Sequence, residues 1–120
     1  MQSFYMFFYV LHQIFEQCKE DNLGGFLGAI SPELFLDALP MDRAILMDWM
    51  DFNDAETVSK GNIIKRTFDF LNYYEERFGD NFSQAKTELM NNMGNKEIVD
   101  RAYELSQLMY EKYEKFSSAS

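Results

Sequence analysis

The sequence predicts an all-α protein, a single-domain bundle of five or six helices. Apolar residues recur at steps of three and four along most of the chain, which is the period of an amphipathic helix. Only 2 Pro and 6 Gly occur among 120 residues, so long uninterrupted helices are permitted. No segment alternates apolar and polar residues for long enough to predict a strand. An aromatic content of 17% predicts a core built from large side chains.

The first predicted helix runs from about Ser3 to Glu20. Its apolar residues cover most of the helix surface, which predicts a helix largely surrounded by its neighbours. The run DNLGG then predicts the end of this helix, because Gly24 or Gly25 can adopt the left-handed conformation of a C-terminal cap. A short apolar connector, FLGAI, follows.

The stretch SPELFLDALPMDRAILMDWMDF, residues 31 to 52, contains both prolines and predicts two successive helix starts. Ser31 and Pro32 suit the first positions of a brief helix, which Pro40 ends. Asp42 is placed to cap a further helix that reaches the end of the stretch.

Three more helices are predicted in the second half of the chain. The first starts between Asn53 and Ser59 and ends at Gly79, the second runs from Ser83 to about Met93, and the third, capped by Asn95, runs from Lys96 to Phe116. The sequence therefore predicts one helical domain, residues 1–116, followed by a frayed tail, residues 117–120.

The chain is acidic, with 20 Asp and Glu against 11 Lys and Arg and a net charge of −9. This balance argues against binding to nucleic acid, since phosphate contacts need clustered Lys and Arg, and against binding to an anionic membrane. The acidity is concentrated in residues 1–60, where 10 acids and 3 bases give −7. A basic protein partner fits this distribution, and a solvated face that keeps the protein dispersed is the plainer alternative.

No arrangement for catalysis or metal binding emerges from the sequence. His12 and Glu16 lie one helical turn apart, but there is no second His, and zinc sites need three or four ligands. Cys18 is the single cysteine, which excludes a disulfide within the chain. We therefore predict no catalytic residue, no metal and no cofactor. Cys18, together with an apolar N-terminal run that lacks a basic leader, makes the cytoplasm the expected location.

The leading functional hypothesis is binding to another protein through an acidic surface on and around the helix predicted after Asp42. Its residues are Asp37, Asp42, Met47, Asp48, Asp51 and Asp54. Exposed methionine supplies adaptable apolar contacts, and carboxylates at the rim set specificity for a basic partner. An immunity-like or antitoxin-like role is the sharpest form of this hypothesis.

Two alternatives stay open. The first is a ligand-binding or enzymatic bundle with an aromatic-lined pocket formed by Tyr5, Tyr9, His12, Trp49 and Tyr74. Trp49 lies in the apolar arc of its helix, however, and such a residue is more typical of the core than of a contact surface. The second alternative is a structural homodimer, which would bury the apolar surplus expected from 8 Met, 12 Phe and 7 Tyr.

Residues 26–49, FLGAISPELFLDALPMDRAILMDW, resemble the core of short bacterial proteins of unassigned function. In those proteins a pattern similar to LG…SPELF.DG.P.D.A...DW lies between two longer helices. The matching residues here are Leu27, Gly28, Ser31, Pro32, Leu34, Phe35, Asp37, Pro40, Asp42, Ala44, Asp48 and Trp49. Ala38 stands where the pattern has glycine, which bears on the turn at that point. The resemblance covers about a fifth of the chain and implies a bacterial origin and a helical domain, with no catalytic residue.

Overall fold

A computed structural model describes residues 1–119 and shows six α-helices in them, named α1 to α6 in chain order. The helices span Gln2–Cys18, Asp21–Ile30, Arg43–Phe52, Ile63–Phe78, Ser83–Asn91 and Lys96–Ala119. No strand occurs in residues 1–119, so the predicted all-α bundle is confirmed. No helix in this range has both the length and the apolar character needed to cross a membrane.

The first helix, α1, lies at the centre of the bundle. Every residue from Phe4 to Leu11 is buried, and α1 contacts each of the other helices. The longest helix, α6, runs antiparallel to it. Gln2 Nε2 donates to Ser106 Oγ (3.5 Å), and Gln13 Nε2 donates to the carbonyl of Ile98 (2.9 Å). The prediction that the first helix is surrounded by its neighbours is therefore confirmed.

Phe7 of α1 is the centre of an aromatic core. Its ring stacks on Trp49, with 4.3 Å between centroids, and meets the rings of Phe26 and Phe70 edge-on. Such arrangements suit the quadrupoles of aromatic rings and contribute about 0.5–1.5 kcal/mol per pair beyond the area that they bury. Trp49 is fully buried, and its Nε1 donates to Ser3 Oγ (3.1 Å), which confirms its expected place in the core.

The segment DNLGG does not end α1, contrary to the prediction. Lys19 ends it, with a left-handed backbone (φ 53°) and an N–H that donates to the Phe15 carbonyl. Asp21–Ile30 then forms α2, which places both Gly24 and Gly25 inside a helix. A Cβ at Gly24 would lie 3.2 Å from the Phe15 ring, so glycine at this position permits the close approach of α1 and α2. Gly24 therefore allows α1 and α2 to pack closely, and the turn that ends α1 is at Lys19.

Residues 31–42 form a loop, and the brief helix predicted from Ser31 and Pro32 does not occur. Ala38 has φ 60°, a left-handed conformation that a right-handed helix cannot contain and that costs an L-residue about 1 kcal/mol. The N–H of Ala38 donates to the Phe35 carbonyl (3.2 Å), which closes a turn in the middle of the loop. This is the position at which the bacterial pattern has glycine, the residue that adopts a positive φ without strain.

The boundaries of α3 and α4 lie close to their predicted positions. Asp42 caps α3, because its Oδ1 accepts hydrogen bonds from the N–H groups of Ala44 (3.0 Å) and Ile45 (3.3 Å). Gly79 ends α4 with φ 78°, as predicted. The start of α4, at Ile63, comes later than the sequence suggests.

The last helix is longer than predicted. Asn95 caps it as expected, with Oδ1 accepting from the N–H of Glu97 (3.1 Å). The helix then continues past Phe116 through residues 117–119, which the sequence assigns to a frayed tail. This segment consists of serine and alanine and contains neither Gly nor Pro, the residues that are least favourable in a helix. Ser120, the last residue of that predicted tail, lies outside the described residues.

The start of α5 is capped from a distant part of the chain. Glu20, between α1 and α2, is buried, and its carboxylate accepts hydrogen bonds from the N–H groups of Gln84 (2.9 Å) and Ala85 (3.3 Å). The first N–H groups of a helix have no partner within it, and a side-chain oxygen stabilises them. Glu20 therefore holds the corner between α1 and α2 against α5.

We expect Glu20→Ala to lower the free energy of unfolding by about 1–2 kcal/mol, as the loss of a helix N-cap does. Urea denaturation followed by circular dichroism measures this change. The control is Glu16→Ala, because Glu16 is exposed and its nearest ionic contact, His12 Nδ1, lies 3.6 Å away. A surface contact of this kind contributes about 0.5 kcal/mol or less. Equal losses in the two variants would contradict the capping role.

Candidate partner-binding site

The outer face of α3 combines exposed methionines with carboxylates. Met47 and Met50 are 60% and 42% exposed, and Asp51 lies one helical turn from Met47 and is also exposed. Asp54 follows the helix and is exposed as well. Because α3 is capped at its start and anchored in the core by Trp49, it presents these groups from a rigid support.

An acidic cleft lies between α2, the start of α3 and the end of α4. It encloses about 320 Å3, and Asp21, Asp42 and Asp80 line it together with Tyr74. The ring of Phe26 meets Tyr74 at a centroid distance of 5.1 Å, so the wall of the cleft is aromatic. Among the described residues that line the cleft there is no Lys or Arg. The cleft is therefore uniformly negative.

Tyr74 is directly affected by this negative charge. Burial raises the pKa of Tyr74, and the carboxylates of Asp80, Asp42 and Asp48 raise it further, because they would repel a tyrosinate. The carboxylates of Asp48 on α3, of Asp42 at its N-cap and of Asp80 after α4 thus all act on Tyr74. We call this surface the acidic face and define it by the residues Asp21, Asp42, Asp48, Asp51 and Asp80.

Asp48 also links the acidic face to the end of α4. Its Oδ1 lies 4.0 Å from Nη1 of Arg77, whose guanidinium stands over the ring of Phe78 at 5.4 Å from the centroid. Phe78 is about half exposed. An exposed aromatic ring therefore adjoins the acidic face, as does the exposed side chain of Met47 on α3.

Asp37 does not line the acidic cleft. Its Oδ2 is 3.6 Å from Nη2 of Arg43, and its Oδ1 accepts a hydrogen bond from the N–H of Leu39 (3.0 Å). Asp37 thus stabilises the loop of residues 31–42, while Asp42 both caps α3 and lines the acidic cleft. The other predicted partner-binding residues lie on α3 or directly after it: Met47, Asp48, Asp51 and Asp54.

The residues of the alternative pocket do not surround one cavity. Tyr5, Tyr9 and His12 share one face of α1 by their spacing, whereas Trp49 packs against the opposite face. Tyr5 and Trp49 are fully buried in the core, and His12 is exposed. Only Tyr74 opens into a described cleft, the acidic one.

Asp21 and Asp80 are the members of the acidic face that the sequence does not indicate. Asp21 falls in the segment interpreted as a helix end, and Asp80 falls in the turn after α4. A hydrogen bond from Asn22 Nδ2 to the Asn81 carbonyl (2.8 Å) joins these two segments, which are 59 positions apart in the chain. No local pattern marks a contact between residues so far apart.

Comparisons with protein-family models, with curated proteins and with solved structures found no match to this chain. Within residues 1–119, no group of three or more His, Cys, Asp or Glu side chains could hold a metal ion.

Because of Tyr5 and Tyr9, the free energy of unfolding depends on pH in the alkaline range. The hydroxyl of Tyr5 donates to the Ala38 carbonyl (2.8 Å), and that of Tyr9 donates to Glu33 Oε2 (2.9 Å). Burial is the main cause that raises the pKa of both hydroxyls, and the hydrogen bond to Glu33 raises the pKa of Tyr9 further. Above a pH of about 10 the unfolded chain loses these protons while the folded chain retains them. Stability that is fully present below this pH is therefore lost as the pH rises toward the folded-state pKa.

We expect the free energy of unfolding to fall above a pH of about 10 by up to about 1.4 kcal/mol per pH unit for each of these tyrosines. Urea denaturation at a series of alkaline pH values measures the slope. Tyr5→Phe and Tyr9→Phe remove the titrating hydroxyls, so each should make the slope shallower. An unchanged slope in both variants would show that the two hydroxyls do not account for the alkaline loss.

Proposed function

We propose that this protein acts by binding a basic protein through its acidic face. The observation that carries the proposal is the convergence of Asp42, Asp48 and Asp80 around Tyr74, beside a cleft whose lining has no described Lys or Arg. Carboxylates on one face repel one another, and a cationic group from a partner relieves that repulsion.

The acidic cleft suits a single lysine or arginine side chain of the partner. Such a side chain would meet the carboxylates of Asp21, Asp42 and Asp80 at the walls, which favours charge-assisted hydrogen bonds. The ring of Tyr74 adds an aromatic surface, to which a cation is attracted by about 0.5–2 kcal/mol. Ionic and cation–π attraction therefore favour the same ligand group.

Apolar contacts next to the acidic face would add affinity to this charge recognition. Met47 and Phe78 are both largely exposed and adjoin it. Flexible methionine adapts to the shape of a partner, and a central aromatic ring is typical of the few residues that dominate binding energy. The rim carboxylates would then set the association rate and the choice of partner.

An immunity-like or antitoxin-like role is the sharpest form of the proposal. In that role a small acidic protein covers the functional surface of a basic one and blocks it. We place this binding in the cytoplasm, a compartment that suits the single free cysteine, Cys18. The plainer alternative, an acidic face that only interacts with water, predicts that no partner is bound.

We expect the double variant Asp51→Lys, Asp80→Lys to bind the partner on the order of tenfold more weakly and with less dependence on salt. Both side chains are exposed, and neither caps a helix or forms an ion pair within residues 1–119, so the fold should persist. The tagged protein first captures its partner from the lysate of the source organism at low and high salt, and mass spectrometry identifies it. Calorimetry with the purified partner then gives the dissociation constant.

The matched control is Glu16→Lys with Glu104→Lys, at exposed positions on α1 and α6 outside the acidic face. Each reversal adds two charges, so both double variants change the net charge from −9 to −5. Selective weakening by the first pair supports the acidic face as the binding site. Equal weakening by both pairs would attribute binding to net charge alone, and capture of no basic protein at low salt would overturn the proposal.

A further inference from the structure

The loop of residues 31–42 exposes several large apolar side chains. Two of its carboxylates bind to the protein itself: Asp37 contacts Arg43 and the N–H of Leu39, and Glu33 accepts the hydrogen bond from Tyr9. Four of its apolar side chains are exposed: Leu34, Phe35, Leu36 and Met41. A loop fixed in this way holds apolar groups in water, which is costly unless another surface covers them.

The end of α6 supplies the opposite wall of a cleft. The hydrogen bond between Gln2 and Ser106 shows that α1 begins near the level of Ser106. Beyond Met109, the last buried residue of α6, Tyr110 and Tyr113 still pack against the core, and the helix then extends to Ala119. Phe116 lies in this extension and lines a cleft of about 630 Å3 together with the loop.

The apolar surface in this cleft is large enough for a stable interface. We call it the apolar cleft and define it by five side chains that are between 45% and 78% exposed: Leu34, Phe35, Leu36, Met41 and Phe116. Their exposed area is on the order of 600 Å2, at the upper end of the roughly 300–600 Å2 found for the largest patch on a monomer. Two such surfaces in contact would bury at most on the order of 1,200 Å2 from these residues, which reaches the lower end of the range of specific interfaces.

The charges that line the apolar cleft cancel. Of the described residues lining it, only Asp37 and Arg43 are charged, and they pair at 3.6 Å. A basic partner finds no free carboxylate here, in contrast to the acidic face. Two copies of a chain with a net charge of −9 can meet at this place without bringing like charges together at the centre.

We infer that the apolar cleft is the interface of a symmetric homodimer. In a two-fold arrangement the same patch serves both copies, so the loop of one copy packs against the Phe116 extension of the other. Asp42, the last residue of the loop, is the one residue that the loop and the extension contribute to the acidic face, and it does not line the apolar cleft. The inference therefore rests on other residues than the proposed function does.

Sedimentation equilibrium of the purified full chain over about two decades of concentration tests the dimer. We expect a monomer–dimer equilibrium with a dissociation constant on the order of micromolar or lower. Leu36→Glu and Phe116→Glu should each raise that constant by roughly 30-fold or more, because each places a charge at the centre of the interface. The two substitutions lie on different elements at exposed positions, and circular dichroism checks that helix content is retained.

Met90→Glu is the matched control, since Met90 is 54% exposed on α5 and is not part of the apolar cleft. It should dimerise as the wild type does, and the wild-type constant should change little with salt. A wild-type chain that stays monomeric throughout, or variants at Leu36 and Phe116 that dimerise normally, would overturn the inference. A monomer that still binds a basic protein would overturn the dimer alone, whereas a dimer that binds none would overturn only the proposed function.

Discussion

The burial of α1 on all sides between Phe4 and Leu11 is the constraint on which the rest of the structure depends. This part of the helix must be covered around its whole circumference, and each of the other helices packs against α1. Phe7 illustrates the consequence, because its ring meets Phe26 from α2, Trp49 from α3 and Phe70 from α4. The apolar faces of these helices therefore pack in the interior, and only the outer face of α3 is exposed to solvent.

The same constraint explains where apolar surface remains. At about 1.5 Å per residue, the 17 residues of α1 span about 26 Å and the 24 residues of α6 about 36 Å. The antiparallel pairing places the C-terminal part of α6 at the end of the bundle where α1 begins, and Phe116 in that part is about half exposed. Tyr5 and Tyr9 hold the loop of residues 31–42 beside that end. Five exposed apolar side chains, those of the apolar cleft, thus lie together at this end of the molecule.

Local sequence patterns predict the elements that depend on local interactions. The period of apolar residues predicts the long helices, and Asp42 and Gly79 mark helix ends through contacts with their immediate neighbours. The sequence predictions are wrong where a contact between residues far apart in the chain determines the local structure. Gly24 resembles a helix end, but it lies within α2, where the ring of Phe15 is so close that glycine packs best. For the candidate site, the pattern of α3 indicates Asp48 and Asp51. Asp21 and Asp80 join them only through the packing of α2 beside the turn after α4, which no local pattern records.

The ion pairing of Asp37 on one surface, and of Asp51 and Asp80 on the other, distinguishes the apolar cleft from the acidic face. Asp37 is neutralised by Arg43, so the loop around it offers only apolar contact. Asp80 and Asp51 have no ion-pair partner in residues 1–119, so their charge extends into solvent. Electrostatic attraction acts over a screening length of about 8 Å at physiological salt, whereas apolar surfaces attract only when water is excluded between them. The acidic face is therefore suited to guide the encounter with a partner, and the apolar cleft to hold an assembly together once its surfaces touch.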